Sequence, residues 1–320
     1  MIIVTGGAGF IGANIVAALN QSGATDVLIV DNLEKGDKFI NVRDLQVVDF
    51  LDKREFRNLL AKDYFKEMTI AAILHQGACS DTMEYDGRYM MDNNYTYTKE
   101  LFHFASGRHI PFVYASSAAT YGASTDFTEH PDNEKPLNVY GYSKLLFDRY
   151  VQQNWDKVTS TVVGLRYFNV YGPREQHKGR MASMVHQLYL QIKQTGVARL
   201  FQGSGGYGDG AQRRDFIHVA DVAHLNIHLA HHPSPLHGIY NVGTGVSRSF
   251  NAIVASLYQA MNLPPQPIDY IPMPEGLQAK YQNYTQADMV RLQRIPGLHY
   301  QPMTLEQGVA AFVQAKEAGL

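Results

Sequence analysis

Two rhythms of apolar and polar positions alternate through the first half of the chain. Short runs, apolar on both faces, occur at Met1–Val4, Val27–Val30, Gln46–Val48, Ile70–His75, Phe112–Ala115 and Val162–Leu165. Such runs predict buried parallel strands. Between them lie stretches with a helical period near Ile11–Ser22, Lys53–Ala61, Asp86–Ser106 and Tyr142–Asn154. Strand and helix in repeated alternation predict an α/β fold, a doubly wound parallel sheet of the Rossmann kind.

After about Gly172 the rhythm breaks. Helical patterns at Met181–Gln194, Ala220–His231 and Ala252–Ala260 mix with isolated short strands and loops, and the glycine-rich run 203–210 reads as a flexible loop. No internal repeat is visible. The expected division is a sheet domain over residues 1–170, rejoined by segments near 213–245, and a smaller, non-contiguous α/β region over most of 171–320. A ligand cleft is expected at the C-terminal edge of the sheet, where open α/β sheets bind.

Composition narrows the class. The chain has 320 residues, 45% of them hydrophobic, enough for a sizeable core. A net charge of −2 advertises neither a nucleic-acid partner nor a membrane surface. Cys79 is the only cysteine, which excludes an internal disulfide and fits a cytoplasmic location. The N-terminus reads as a strand entering a glycine turn rather than a signal peptide. No apolar run approaches the roughly 18 residues of a membrane span.

The first chemical motif is Thr5-Gly-Gly-Ala-Gly-Phe-Ile-Gly12, between the first strand and the first helix. It satisfies Gly-x-Gly-x-x-Gly at Gly7, Gly9 and Gly12, and Gly-x-x-Gly-x-x-Gly at Gly6, Gly9 and Gly12. Glycines there permit a tight turn and close approach of a pyrophosphate, to which the helix N-terminus presents N–H groups. Phe10 and Ile11 are expected to contribute backbone N–H groups. Asp31 ends the second strand at the distance expected for a ribose contact. That favours NAD, whereas Lys35, Lys38 and Lys53 favour the 2′-phosphate of NADP, and the residues alone leave the choice open.

Tyr140-Gly-Tyr-Ser-Lys144 places a phenol and an ammonium at i and i+4, on one helix face. A phenol with a pKa of about 10 is a poor base at neutral pH. A neighbouring ammonium, together with a positive nicotinamide ring, favours phenolate. Ser116 follows the fifth strand and is the candidate to hydrogen-bond the alcohol or carbonyl being interconverted, with Ser117 as the alternative for the same duty.

These motifs resemble the extended short-chain dehydrogenase/reductases. Arg166-Tyr-Phe-Asn-Val-Tyr-Gly-Pro173, Arg213-Arg-Asp-Phe-Ile-His-Val-Ala-Asp-Val222 and Tyr240-Asn-Val-Gly-Thr-Gly245 are similar to its sugar-nucleotide branch. Longer strings sharpen the likeness: His75-Gln-Gly-Ala-Cys-Ser-Asp81, Tyr89-Met-Met-Asp-Asn-Asn-Tyr95, Ala115-Ser-Ser-Ala-Ala-Thr-Tyr-Gly122, Pro136 to Lys144, Gly172 to Gly179 and Tyr281 to Asp288. Together they resemble the ADP-glyceromanno-heptose 6-epimerase family nearly end to end.

The resemblance implies an epimerase that converts ADP-D-glycero-β-D-manno-heptose to its L-glycero epimer, a precursor of the lipopolysaccharide inner core. It implies NADP as cofactor, with NAD also allowed, and a homopentamer. By matched position, Tyr140 and Lys178 are the acid/base residues. Phe10, Ile11, Asp31, Asn32, Lys38, Lys53, Gln76, Gly77, Ala78, Cys79, Ser80, Asn93, Lys144, Val170 and Lys178 line the cofactor. Asn169, Arg180, Gln187, Phe201, Gln202, Gly203, Ser204, Arg214 and Tyr281 line the substrate. The family commonly has serine at position 180 and histidine at 187, whereas this chain has Arg180 and Gln187, with His186 one position early.

An unactivated C–H at C6 is too weak an acid for direct deprotonation, whereas hydride removal makes an aldehyde. Rotation of that aldehyde and return of the hydride to its other face inverts the centre. Tyr140 and Lys178 then serve the two orientations. A 4,6-dehydratase typically needs an Asp-Glu pair beside the active serine, but Ala118, Ala119 and Thr120 follow Ser117. The competing readings are another nucleotide-sugar epimerase, a net sugar-nucleotide oxidoreductase, and a non-catalytic cofactor sensor. His224, His228, His231, His232 and His237 read as a surface helix rather than a metal site, and Cys79 as a small packing residue.

Overall fold

The computed structural model describes residues 1–274, 276 and 281–320, and among them the chain forms twelve strands and ten helices. The strands are β1 (Ile2–Thr5), β2 (Val27–Asp31), β3 (Asp49–Asp52), β4 (Ala72–His75), β5 (Phe112–Ser117), β6 (Val162–Tyr167), β7 (Asn169–Tyr171), β8 (Arg199–Phe201), β9 (Arg213–His218), β10 (His237–Val242), β11 (Ser247–Ser249) and β12 (Asp269–Ile271). The helices are α1 (Phe10–Gln21), α2 (Lys53–Ala61), α3 (Gly87–Met91), α4 (Tyr97–Gly107), α5 (Val139–Gln152), α6 (Met184–Thr195), α7 (Val219–Ala230), α8 (Phe250–Ala260), α9 (Val290–Gln293) and α10 (Leu305–Glu317).

Seven strands form one sheet in the order β10-β6-β5-β4-β1-β2-β3. The pairings of β1 through β6 within it are parallel. From β1 the order runs one way through β2 and β3 and the other way through β4, β5 and β6. The reversal places the glycine turn at the switch point, where open α/β sheets bind ligands. Smaller sheets, β11-β9-β7 and β12-β8, complete the α/β fold.

The chain divides into two compact units. The first comprises Met1–Gly122, Glu134–Tyr167 and Val222–Tyr240. Its core joins sheet residues Ile3, Leu28, Val30, Ile73, Phe112 and Tyr114 to helix residues Phe56, Leu101, Phe102 and Phe147. The second comprises Ala123–Asn133, Phe168–Asp221 and Asn241–Leu320. There α6, α8 and α10 pack through Leu188, Tyr189, Leu257 and Phe312. No helix among the described residues is long and apolar enough to cross a membrane.

Two elements depart from the periodicity. The third strand lies at Asp49–Asp52, not Gln46–Val48. It is the edge of the sheet, paired only with β2, so its alternation is weak, and apolar Val48 stays 57% exposed just before it. The helix expected over Asp86–Ser106 is instead α3, a π-helical turn at Asp92–Thr96 and α4. The extra residue of a π turn redirects side chains, often at functional sites. Here Asn93 and Asn94 are turned inward and buried.

Candidate active site

The glycine turn is built as its spacing requires. Gly6 adopts φ +65°, in the left-handed region that favours glycine, and a Cβ there would meet the Gly77 nitrogen at 2.6 Å. A Cβ on Gly12 would meet the Gly6 carbonyl oxygen at 2.1 Å. The turn therefore closes only without side chains at these two points. Helix α1 starts at Phe10 with Gly9 as its N-cap, and no side chain caps it. Its first N–H groups and dipole are thus directed at the space over the turn, as a pyrophosphate requires. These residues fit a dinucleotide cofactor.

Asp31 lies at the end of β2 and is buried. One carboxylate oxygen accepts the Ala8 N–H at 2.8 Å, while the other accepts the Asn32 N–H and the Lys38 ammonium. Lys38 also donates to the Asn32 carbonyl at 2.8 Å. Lys53, at the start of α2, donates to the Asn93 side chain. Burial holds its ammonium below the ordinary lysine range. Among the residues after β4, Gln76 is bonded to Asn226 and Tyr167, and Gly77 N–H donates to Thr5 Oγ1. The Cys79 peptide is gripped at both ends by the Asn94 amide, at 2.8 and 2.9 Å, while Ala78 and Ser80 are exposed.

Helix α5 carries the tyrosine and the lysine. Asn138 caps it by accepting the Gly141 N–H at 2.8 Å. Gly141 packs so closely that a Cβ would meet the Ala119 carbonyl oxygen at 2.6 Å, which fixes the helix start against the end of β5. Lys144 is buried and donates to the Ala115 carbonyl at 2.8 Å. Burial lowers its pKa to about 8, with Asp148 and Cys79 opposing. The Tyr140 phenol is pushed up by burial, while hydrogen bonding to Ser117 pulls the other way. Desolvation thus outweighs the lowering expected from Lys144 alone.

The two serines separate. Ser116, the candidate to hydrogen-bond the alcohol or carbonyl being interconverted, is buried and donates its hydroxyl to Asp148 at 2.8 Å. Ser117 is the hydroxyl that faces the phenol. Successive strand residues point to opposite faces, and packing against α5 decides which one is taken into the core. Asp148 also accepts from Tyr114 and from Arg166, and Arg166 pairs with Glu134 at 2.6 Å. Sequence reasoning missed Asp148, Glu134 and Asn94. Asp148 had a signal, since it continues the i, i+4 ladder from Tyr140 and Lys144.

The remaining candidates lie in the second unit. Lys178 sits in a 3₁₀ segment, Gln176–Met181, that contains Gly179 at φ +53°. Burial lowers its pKa and the nearby Glu175 carboxylate opposes that. Glu175 ties down the end of the segment by accepting from the Ser183 N–H and hydroxyl. Asn169 donates to the Asp215 carbonyl, and Val170 follows it on β7. Arg180 is exposed, and Gln187 turns its amide onto the Arg180 and Ala182 carbonyls. Phe201, Arg214 and Tyr281 come together: the guanidinium lies 5.1 Å from the Tyr281 ring centre, and Phe201 meets that ring edge-on. Gln202 and Ser204 are joined through the Gln212 amide, and Gly203 N–H donates to Asp209.

The profile of the NAD dependent epimerase/dehydratase family matches residues 2–243. The chain belongs to this family. Its epimerase/dehydratase character agrees with a dinucleotide turn followed by a tyrosine, a lysine and a serine at the sheet edge. An ADP-L-glycero-D-manno-heptose-6-epimerase of Alkalilimnicola ehrlichii is 52% identical over 315 residues, covering 98% of this chain and 97% of that protein. The crystal structure of the Helicobacter pylori ADP-L-glycero-D-manno-heptose-6-epimerase superposes with a TM-score of 0.84 at 31% identity, over 99% of this chain and 96% of that one. The Thermus thermophilus UDP-glucose 4-epimerase in complex with NAD superposes with a TM-score of 0.80 at 26% identity, covering 100% and 99% of the two chains. Among the described residues of this family member, no group of three or more His, Cys, Asp or Glu is placed to hold a metal ion.

Proposed function

We propose that the chain is an ADP-glyceromanno-heptose 6-epimerase, acting on ADP-D-glycero-β-D-manno-heptose to give the L-glycero epimer. The observation that carries the chemistry is the Tyr140 phenol facing Ser117, one helical turn from the buried Lys144. The substrate is supported by the near full-length identity to the Alkalilimnicola ehrlichii relative. Ala118, Ala119 and Thr120 supply no carboxylate after Ser117, which favours epimerisation over elimination.

The glycine turn, Asp31, Asn32, Lys38, Lys53, Gln76–Ser80, Asn93, Lys144 and Val170 hold the dinucleotide in this reading. When bound, it supplies reversible hydride transfer. The protein supplies the proton work. Tyr140 takes the proton of the C6 hydroxyl, and Ser117 hydrogen-bonds the same oxygen. Lys144 favours the phenolate, helped by the positive charge of the oxidised ring. Lys178, held below the usual lysine range by burial, gives or takes the proton when the C6 group presents its other face. Asn169, Phe201, Arg214 and Tyr281 bind the sugar nucleotide, the paired rings and guanidinium suiting a flat base and a phosphate.

NADP is favoured over NAD because Lys38 neutralises Asp31, leaving less repulsion toward a 2′-phosphate. Family resemblance supports a homopentamer, which sedimentation of the purified protein tests, in the cytoplasm and with no nucleic-acid or membrane partner. Replacing Tyr140 by Phe and Lys178 by Met tests the site. Loss of turnover in both supports two acid/base groups, whereas full turnover in Lys178→Met contradicts that scheme.

A further inference from the structure

Behind the tyrosine and lysine lies a group of charges with no access to water. Lys144 is 5% exposed, Asp148 0% and Arg166 1%. Glu134, 5% exposed at its side chain, accepts from Arg166 at 2.6 Å. Two cations and two anions are thus taken out of solvent together, and the half-exposed Arg149 reaches Glu134 from outside at 3.3 Å. Such a group is tolerated only while each charge keeps its partner. Asp148 stands at its centre. It accepts from Arg166 Nε at 3.0 Å, Ser116 Oγ at 2.8 Å and Tyr114 Oη at 3.0 Å. The bonds to Ser116 and Tyr114 bind α5 to β5, and Lys144 adds a third through the Ala115 carbonyl.

Tyr140, Lys144 and Asp148 are spaced i, i+4, i+8, one face of one helix. We propose that Asp148 is a positioning residue of the active site, the buried counter-charge that keeps the Lys144 side chain an ammonium beside Tyr140. The assignment rests on the reading of Tyr140 as the base. Lys144 donates to the Ala115 carbonyl of β5, and on α5 Asp148, one turn on, bears on its charge, with the hydroxyls of Tyr114 and Ser116 bonded to that carboxylate. His75 at the end of β4 and Cys79 in the loop after it also feel its charge. Arg166 and Glu134 act on it through Asp148. His75 is held neutral by burial, and burial likewise raises the Cys79 thiol. Burial also raises the Asp148 carboxyl, while Arg166 and the bonds from Ser116 and Tyr114 pull it back down; of the acidic groups acting on Lys144 it is the only carboxylate among the described residues. Without it, Lys144 and Arg166 share the interior with Glu134 alone, and the lysine sheds its proton first because guanidinium holds its own far more tightly.

The consequence is a shift in a rate profile. A neutral Lys144 no longer favours phenolate, so the acid limb of turnover moves to higher pH. Isosteric Asp148→Asn in the holoenzyme is expected to raise the limb by about one pH unit and lower kcat at pH 7 about tenfold, with KM little changed. Asp148→Glu leaves the limb in place. Arg166→Gln, equally buried, removes positive charge instead and does not raise it. A purely structural role for Asp148 lowers the melting temperature of both variants alike and leaves the limb unmoved, which overturns the proposal. Should Asp148→Asn not be recovered folded, the charge-balanced pair Asp148→Asn with Arg166→Gln replaces it. The limb still rises, though less, since Glu134 bonds Arg166 and not Lys144 and so does not replace the lost anion, and a limb at the wild-type position overturns the assignment. Tyr140→Phe is the control. If it still turns over, the reading of Tyr140 fails and takes this one with it, whereas a dead Tyr140→Phe beside an unshifted Asp148→Asn removes Asp148 alone.

Discussion

The Lys38 ammonium sits 2.5 Å from the Asp31 carboxylate at the end of the second strand. An acidic residue there ordinarily receives a ribose hydroxyl and repels a phosphate. Paired with lysine, it does neither fully. Lys38→Met is therefore expected to shift preference from NADP toward NAD by roughly 10- to 100-fold, the range for one charged hydrogen bond. Titration of the stripped protein with each dinucleotide checks this, and an unchanged ratio of dissociation constants would count against Lys38 as the selector.

Gly12→Ala places a methyl where the Gly6 carbonyl oxygen already stands, 2.1 Å away. Backbone cannot swing aside as a side chain can. The expected outcome is a loss of stability of about 1–3 kcal/mol together with weakened dinucleotide binding. Gly36→Ala, where nothing lies within 4 Å, is the matched control and is expected to bind normally.

The two adjacent serines should behave differently. Ser117→Ala removes the hydroxyl facing Tyr140 and is expected to lower kcat about 10- to 100-fold with little loss of stability. Ser116→Ala leaves Asp148 one donor short and is expected to cost about 1–3 kcal/mol of stability. Steady-state kinetics and thermal unfolding on both variants check the pair, and the reverse pattern contradicts the assignment of Ser117.

Local patterns were legible in the sequence wherever chemistry is local. The glycine turn, Asp31 and the Tyr140–Lys144 spacing lie within single strand–turn–helix units, so residue order alone places them. The choice between Ser116 and Ser117 is not local, because a strand offers both faces and the packing of α5 selects one. The π turn at Asp92–Thr96 escaped the helical period for a similar reason: Asn94 is drawn inward by the Cys79 peptide, 15 residues away in the chain. The edge strand β3 was misplaced because exposure leaves it little hydrophobic pattern to read. Charges buried in pairs, such as Asp148 with Arg166, are invisible to any pattern that sorts charge to the surface.

His218 is buried, and no partner for its Nε2 is found among the described residues. Burial depresses its pKa to about 4, against about 6.5 when unfolded. Between those values the unfolded chain binds a proton that the native one refuses. The contribution of His218 is therefore intact above about pH 6.5 and is lost as pH falls toward 4, at up to about 1.4 kcal/mol per pH unit. Asp215 and Glu175, raised by burial, act in the opposite sense, so the comparison must be between variants. Denaturant unfolding of His218→Gln from pH 7 to 4.5 is expected to show a slope shallower by about one proton than that of the wild type. Parallel slopes would mean that His218 is protonated in the native protein.

The most direct test of the account is proton NMR of the purified protein with ADP-D-glycero-β-D-manno-heptose and no added cofactor. The account predicts that resonances of the L-glycero epimer grow in, with no reduced dinucleotide accumulating, and that Tyr140→Phe leaves the spectrum unchanged. A spectrum that stays that of the substrate although the protein is folded and carries dinucleotide, or one in which Tyr140→Phe turns over at the wild-type rate, would contradict it.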